Sequence, residues 1–122
     1  MATVYLIEDD EAVLNALRFA YEIEGLTVRA YLGAEALLAE FWALDPGCLV
    51  IDHFMPGMTG LDLLKLLRSR GCRLPAILIT TLADAHMRRR AGQLGVEHIL
   101  EKPLSDSALI ECTRQALATQ PT

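Results

Sequence analysis

Glu8, Asp9, Asp10 and Glu11 form an unbroken acidic run, and Asp52 follows the apolar stretch Leu49-Val50-Ile51. Thr80 closes Ala76-Ile77-Leu78-Ile79, and Lys102 comes two residues after His98-Ile99-Leu100. Carboxylates, a hydroxyl and an ammonium therefore stand at or just beyond the ends of short apolar stretches. If those stretches are strands of one parallel sheet, the groups meet outside its carboxyl edge, where open α/β sheets bind ligands. Carboxylates packed together repel one another, and a hard cation such as Mg²⁺ offsets that repulsion most simply. Magnesium keeps several waters and takes one or two carboxylates together with phosphate oxygens. The set therefore suits phosphoryl chemistry at a single carboxylate, with Asp52 as the nucleophile. Lys102 would neutralise one developing phosphoryl oxygen and the Thr80 hydroxyl would donate to another.

Each of these residues also has a plainer role open to it. The acidic run precedes a helical pattern and would favour that helix's dipole. Asp52 lies shortly before Met55-Pro56-Gly57 and suits a turn. Lys102 before Pro103 could be a solvated lysine, and Thr80 could satisfy local backbone groups. Their common placement at strand ends is what favours a site.

The elements that must position them alternate five times between apolar runs and helix-period segments, the pattern of a parallel sheet with helices on both faces. Val4-Tyr5-Leu6-Ile7, Leu49-Val50-Ile51 and Ala76-Ile77-Leu78-Ile79 are near-continuous apolar runs and read as central strands covered on both sides. Thr27-Val28-Arg29-Ala30 and His98-Ile99-Leu100 are weaker and read as edges. Val13, Leu14, Leu17 and Tyr21 mark a first helix, ended by Gly25. Leu37, Leu38 and Phe41 mark a second, before Asp45-Pro46-Gly47. Thr59-Gly60-Leu61-Asp62 forms a capping box for a third helix, and the fourth spans 83–94. Ser105 caps a fifth, which carries Leu109, Cys112 and Ala116.

A chain of 122 residues, 52% apolar and 22% charged, suits one globular domain and excludes a multidomain enzyme. The net charge of −5 opposes nucleic-acid binding, and no apolar run approaches the ~20 residues needed to cross a bilayer. Met1-Ala2-Thr3 opens no secretory signal, so a cytoplasmic location is expected. Cys48, Cys72 and Cys112 lack any C-x-x-C spacing and read as buried free thiols. His53, His86 and His98 read as ordinary surface or edge residues, and Met87-Arg88-Arg89-Arg90 as a solvated helix side.

The acidic doublet Glu8-Asp9, the stretch Ile51-Asp52-x-x-Met55-Pro56-x-Met58-x-Gly60, Thr80 closing a strand, and the pair Lys102-Pro103 together resemble the receiver domain of two-component response regulators. The match runs from Val4 to about Leu117. The resemblance implies an α/β, flavodoxin-like fold: a single doubly wound five-stranded parallel sheet of strand order 2-1-3-4-5 with five helices. The domain would occupy residues 1–118, leaving 119–122 as a tail or the start of a linker. It implies that Asp52 accepts phosphate from a sensor histidine kinase or phosphotransfer protein and that Asp9 and Asp52 bind Mg²⁺. Glu8 would assist through water, and the backbone carbonyl of Phe54 would complete the shell. Thr80 and Lys102 would contact the phosphoryl group. The partners implied are an output domain or a second copy, met through the face from the fourth helix to the fifth strand. No membrane contact and no direct nucleic-acid contact by this chain are implied. The module would promote its own phosphorylation and dephosphorylation rather than turn over a substrate, and the Lys102-Pro103 bond is expected to be cis.

The chain departs from the family pattern three residues before the lysine, where Ile99 replaces the usual aromatic. Switching is therefore expected to run through the Thr80-Thr81 loop and the fourth helix. Thr81 is larger than the Ala or Gly common there and would restrict access. Phe54 and Leu82, each two residues beyond a site residue, offer apolar surface where a polar group would orient an attacking water. A long-lived phospho-form is expected. Two alternatives are a receiver-like interaction module that is never phosphorylated and a magnesium-dependent phosphohydrolase. The second is disfavoured because haloacid-dehalogenase-like phosphatases place an aspartate where Phe54 stands.

Overall fold

The computed structural model describes residues 2–118; the tail expected over 119–122 lies outside the described residues. The elements run β1 (Thr3–Glu8), α1 (Glu11–Ile23), β2 (Thr27–Leu32), α2 (Ala34–Leu38), a 3-10 turn (Phe41–Ala43) and β3 (Gly47–Asp52). They continue with α3 (Gly60–Ser69), β4 (Ala76–Thr80), α4 (Ala85–Gln93), β5 (Val96–Glu101) and α5 (Asp106–Ala118). All strand pairs are parallel and the sheet order is β2-β1-β3-β4-β5, the order implied by the resemblance.

Every residue of β1, β3 and β4 is buried, whereas β2 and β5, at the edges, are mostly half-exposed. Alternate strand residues feed two cores. Tyr5, Ile7, Leu49, Ile51 and Leu78 pack with the apolar faces of α2, α3 and α4. Val4, Leu6, Val50, Ile77 and Ile79 pack with Leu14, Leu17 and Tyr21 of α1 and Leu109 and Ala116 of α5. Each large aliphatic side chain removed from water here contributes roughly 1.5–3 kcal/mol. One polar pair crosses the second core: the hydroxyls of Tyr21 and Thr113 lie 2.7 Å apart and fully buried, and Thr113 donates onward to the Leu109 carbonyl. Both of these buried hydroxyls thereby have partners.

Helix starts follow local chemistry. The Asp10 carboxylate accepts from the Ala12 and Val13 amides, and Thr59 and Asp62 form the expected capping box. Asp84 accepts from Met87, so α4 begins at Ala85 instead of residue 83, and Ser105 accepts from Ala108.

Some expectations are corrected. The second helix does not reach Phe41, because after Leu38 the chain tightens to i→i+3 bonds, Glu40 to Leu37, Ala43 to Glu40 and Leu44 to Phe41. Tyr31 of edge strand β2 holds the Glu40 carboxylate at 3.2 Å, and the Phe41 ring lies against Arg70. Strands β2 and β5 each extend two residues or more beyond the runs read from the sequence, because pairing with β1 continues through Tyr31 and Leu32 and pairing with β4 takes in Val96 and Glu101. Of the thiols only Cys48 is buried; Cys72, in the turn after α3, and Cys112, of α5, are partly exposed, each packed against the margin of a core.

Candidate functional site

Two strand ends, those of β1 and β3, deliver the acidic groups together. Glu8, the last residue of β1, is buried, and its Oε2 accepts from the backbone amides of Asp9 and Asp10 at 2.9 and 3.3 Å. Asp52, the last residue of β3, is equally buried, while Asp9 is exposed. One carboxylate oxygen from each of Glu8, Asp9 and Asp52 lies within 4.8 Å of the others. Burial, and after it the Asp52 charge, pushes the Glu8 carboxyl up to about 7.

Lys102 supplies the counter-charge. Its Nζ lies 3.2 Å from Asp52 Oδ1 and 3.8 Å from Glu8 Oε1. Its backbone amide donates to the Thr80 carbonyl at 2.8 Å, and the Lys102-Pro103 bond is cis, as expected. Asp52 Oδ1 is buried and accepts no hydrogen bond, since Lys102 approaches within ion-pair distance but off the hydrogen-bonding direction. A buried carboxylate oxygen without a donor is costly unless something positive completes it. With two further carboxylates beside it, the donor set is hard, anionic and all oxygen, which fits a divalent cation of the magnesium or calcium type.

Thr80 is brought to the same edge, fully buried, but its hydroxyl donates to the Leu82 carbonyl at 3.0 Å and accepts from the Leu82 amide at 3.2 Å. Phe54 and Leu82 are about half and nearly two-thirds exposed at the rim, and Thr81 is exposed. Ile99 is partly buried against the α2–α3–α4 core.

His53 is not a surface residue. It is buried, its Nδ1 accepts from the Leu61 amide at 3.4 Å, and its ring meets Phe54 edge-on at 5.0 Å. Its carbonyl accepts from the Gly60 amide, so the first turn of α3 packs directly on the residues around Asp52. A Cβ at Gly60 would lie 2.7 Å from the Asp52 carbonyl oxygen, which explains why a glycine starts that helix. Burial, and then Arg90, lowers the His53 pKa. Its place directly after Asp52 was the only signal in the sequence.

Two further features belong to the surroundings. Arg90 of α4 reaches Asp62 of α3 at 3.1 Å, and Arg88 reaches Glu101 of β5 at 3.2 Å, so the basic run on α4 is partly paired. A depression of about 440 Å³ beside Asp9 is lined by Leu32, Gly33 and Glu35 of the β2–α2 turn and by Pro56, Gly57 and Met58. The end of the second strand carries no acid that would have drawn attention to it.

A family model described as the response regulator receiver domain matches residues 4–114. The transcriptional regulatory protein FixJ of Azorhizobium caulinodans is 41% identical over 114 residues, covering 93% of this chain and 54% of that protein. The crystal structure of FixJ-N superposes with a TM-score of 0.91 at 33% identity, over 100% of this chain and 98% of that one. Full-length FixJ from B. japonicum gives 0.87 at 32% identity, covering 96% of this chain and 58% of that one. The chain spans about half the length of the curated relatives it matches. Among the described residues no helix is long and apolar enough to cross a membrane.

Proposed function

The chain belongs to the response regulator receiver domain family, and from that premise we propose that Asp52 accepts a phosphoryl group from a sensor histidine kinase or a phosphotransfer protein. The observation that carries the reading is the buried Asp52 Oδ1, free of hydrogen-bond donors, with Lys102 at 3.2 Å and two carboxylates alongside. An Asp52 oxygen attacks phosphorus, the bond from phosphorus to the donor's imidazole nitrogen breaks, and its electron pair leaves with that nitrogen. Lys102 loses part of its partner as the carboxylate becomes an acyl phosphate and turns to a phosphoryl oxygen. The Thr80 hydroxyl contributes once it leaves the Leu82 carbonyl. Mg²⁺ would be held by Glu8, Asp9, Asp52 and the Phe54 backbone carbonyl, and when bound it supplies positive charge to the phosphoryl oxygens.

The module acts on itself and turns over no separate substrate. In the cytoplasm it would pass the signal through the face running from α4 to β5, to an output domain or a second copy. Its charge of −5 leaves contact with DNA to another part of a longer protein.

Mass spectrometry after incubation with acetyl phosphate and Mg²⁺ tests this. One phosphoryl group on the natural chain, none on Asp52→Asn and none in excess chelator is the expected result. Equal labelling with chelator would remove the metal from the reading, and label on Asp52→Asn would remove the acceptor. No label on either chain would leave the unphosphorylated interaction module.

A further inference from the structure

At the end of the sheet remote from Asp52, the 3-10 turn before β3 and the turn after α3 enclose a depression of about 250 Å³. Phe41, Leu44, Cys72 and Leu74 give it apolar walls, and Arg70 and Arg73 stand at its rim. The Arg70 guanidinium lies 5.7 Å above the Phe41 ring. Trp42, next in the chain, is 82% exposed, the most exposed of the large apolar side chains.

Charge here is uncompensated. Among the described residues neither Arg70 nor Arg73 forms an ion pair, although the whole chain is acidic. The nearby acids are engaged elsewhere: Asp45 pairs with Arg29 at 3.2 Å, and Glu40 accepts from the Tyr31 hydroxyl. The turn is also fixed in shape. Arg68, half-buried beneath it, donates to the carbonyls of Cys72, Leu74 and Leu94 at 3.1, 2.7 and 2.8 Å. A rigid apolar depression with a two-arginine rim and an exposed tryptophan has the composition of an interface hot spot.

We propose that this depression is a docking site for a partner protein's acidic segment, whose apolar side chain enters between Phe41 and Leu74 while flanking carboxylates pair with Arg70 and Arg73. Charge complementarity selects this occupant, because a basic or neutral segment would leave both guanidinium groups unpaired at a closing interface. The site is separate from Asp52 and stands whether or not Asp52 is phosphorylated.

Selection of displayed random dodecapeptides on the full chain tests it, followed by titration of the enriched peptides while reading Trp42 emission. Enriched peptides should carry two or more acids around one aromatic or aliphatic residue, shift the Trp42 emission, and bind more weakly as salt rises. Arg70→Glu with Arg73→Glu should weaken them at least tenfold. Arg18→Glu with Lys65→Glu, the same charge change elsewhere, should leave affinity within twofold, with circular dichroism confirming both folds. Peptides without acids, equal binding to the two double variants, or no enrichment would overturn the proposal. Self-association of the chain that buries Trp42 and is lost in Arg70→Glu/Arg73→Glu would overturn the choice of partner in favour of a second copy.

Discussion

At the residue scale, the side chains flanking Asp52, the proposed acceptor, are expected to set how long a phosphoryl group survives. Phe54 and Leu82 present exposed apolar surface and no hydrogen-bonding atom to the approach of an in-line water. Phe54→Asn combined with Leu82→Glu should shorten the phospho-form's lifetime several-fold, read as loss of radiolabel; an unchanged lifetime with intact Mg²⁺ binding would refute this. Glu8, Asp9, Asp52 and Lys102 were legible in the sequence because each ends or follows an apolar run, and strand ends converge by the geometry of a parallel sheet. His53 was not, because its burial comes from the Gly60 turn of α3 closing over it, a tertiary contact that no local pattern announces. Thr80 was legible as a position but not as a conformation: its bonds to Leu82 are local, the plainer role the sequence also allowed.

At the scale of elements, the first turn of α3 is the tightest part of the site. Gly60→Ala would drive a methyl group to 2.7 Å from the Asp52 carbonyl, against backbone on two sides. Forced overpacking of this kind costs about 1–3 kcal/mol, so thermal unfolding should shift down and Asp52 labelling should fall with it. A lowered melting temperature with full labelling would show that the turn yields without disturbing Asp52. Strand β3 makes the opposite case, in which burial silences chemistry. Cys48 is fully buried and its thiol is pushed up to about 12, chiefly by that burial. A chromogenic disulfide reagent should react with Cys72 and Cys112 in the native chain and reach Cys48 only on unfolding; fast native reaction of all three thiols would contradict the packing. The central strands were legible from apolar runs alone. The second helix was not, since past Leu38 the chain tightens into a 3-10 turn whose Glu40 and Phe41 meet Tyr31 and Arg70, residues from other elements.

At the scale of the whole molecule, the sheet divides the domain into two cores, and the site lies along one edge of both. Arg88 and Arg90 tie α4 to β5 and α3, while Ile99 offers no polar ring to swing. Beryllofluoride with Mg²⁺ should therefore shift amide resonances chiefly over residues 83–100 in an NMR spectrum; shifts concentrated on α2 would show another route. The pairing of Tyr21 with Thr113 spans 92 residues of sequence. On a ribosome adding roughly 5–20 residues per second, α1 would wait about 5–18 s after its own synthesis before the hydroxyl that completes its inner face exists. Until then a tyrosine hydroxyl and part of an apolar core face solvent, so α5 closes on α1 late, and a nascent chain stalled before residue 113 would present that open face to chaperones and proteases.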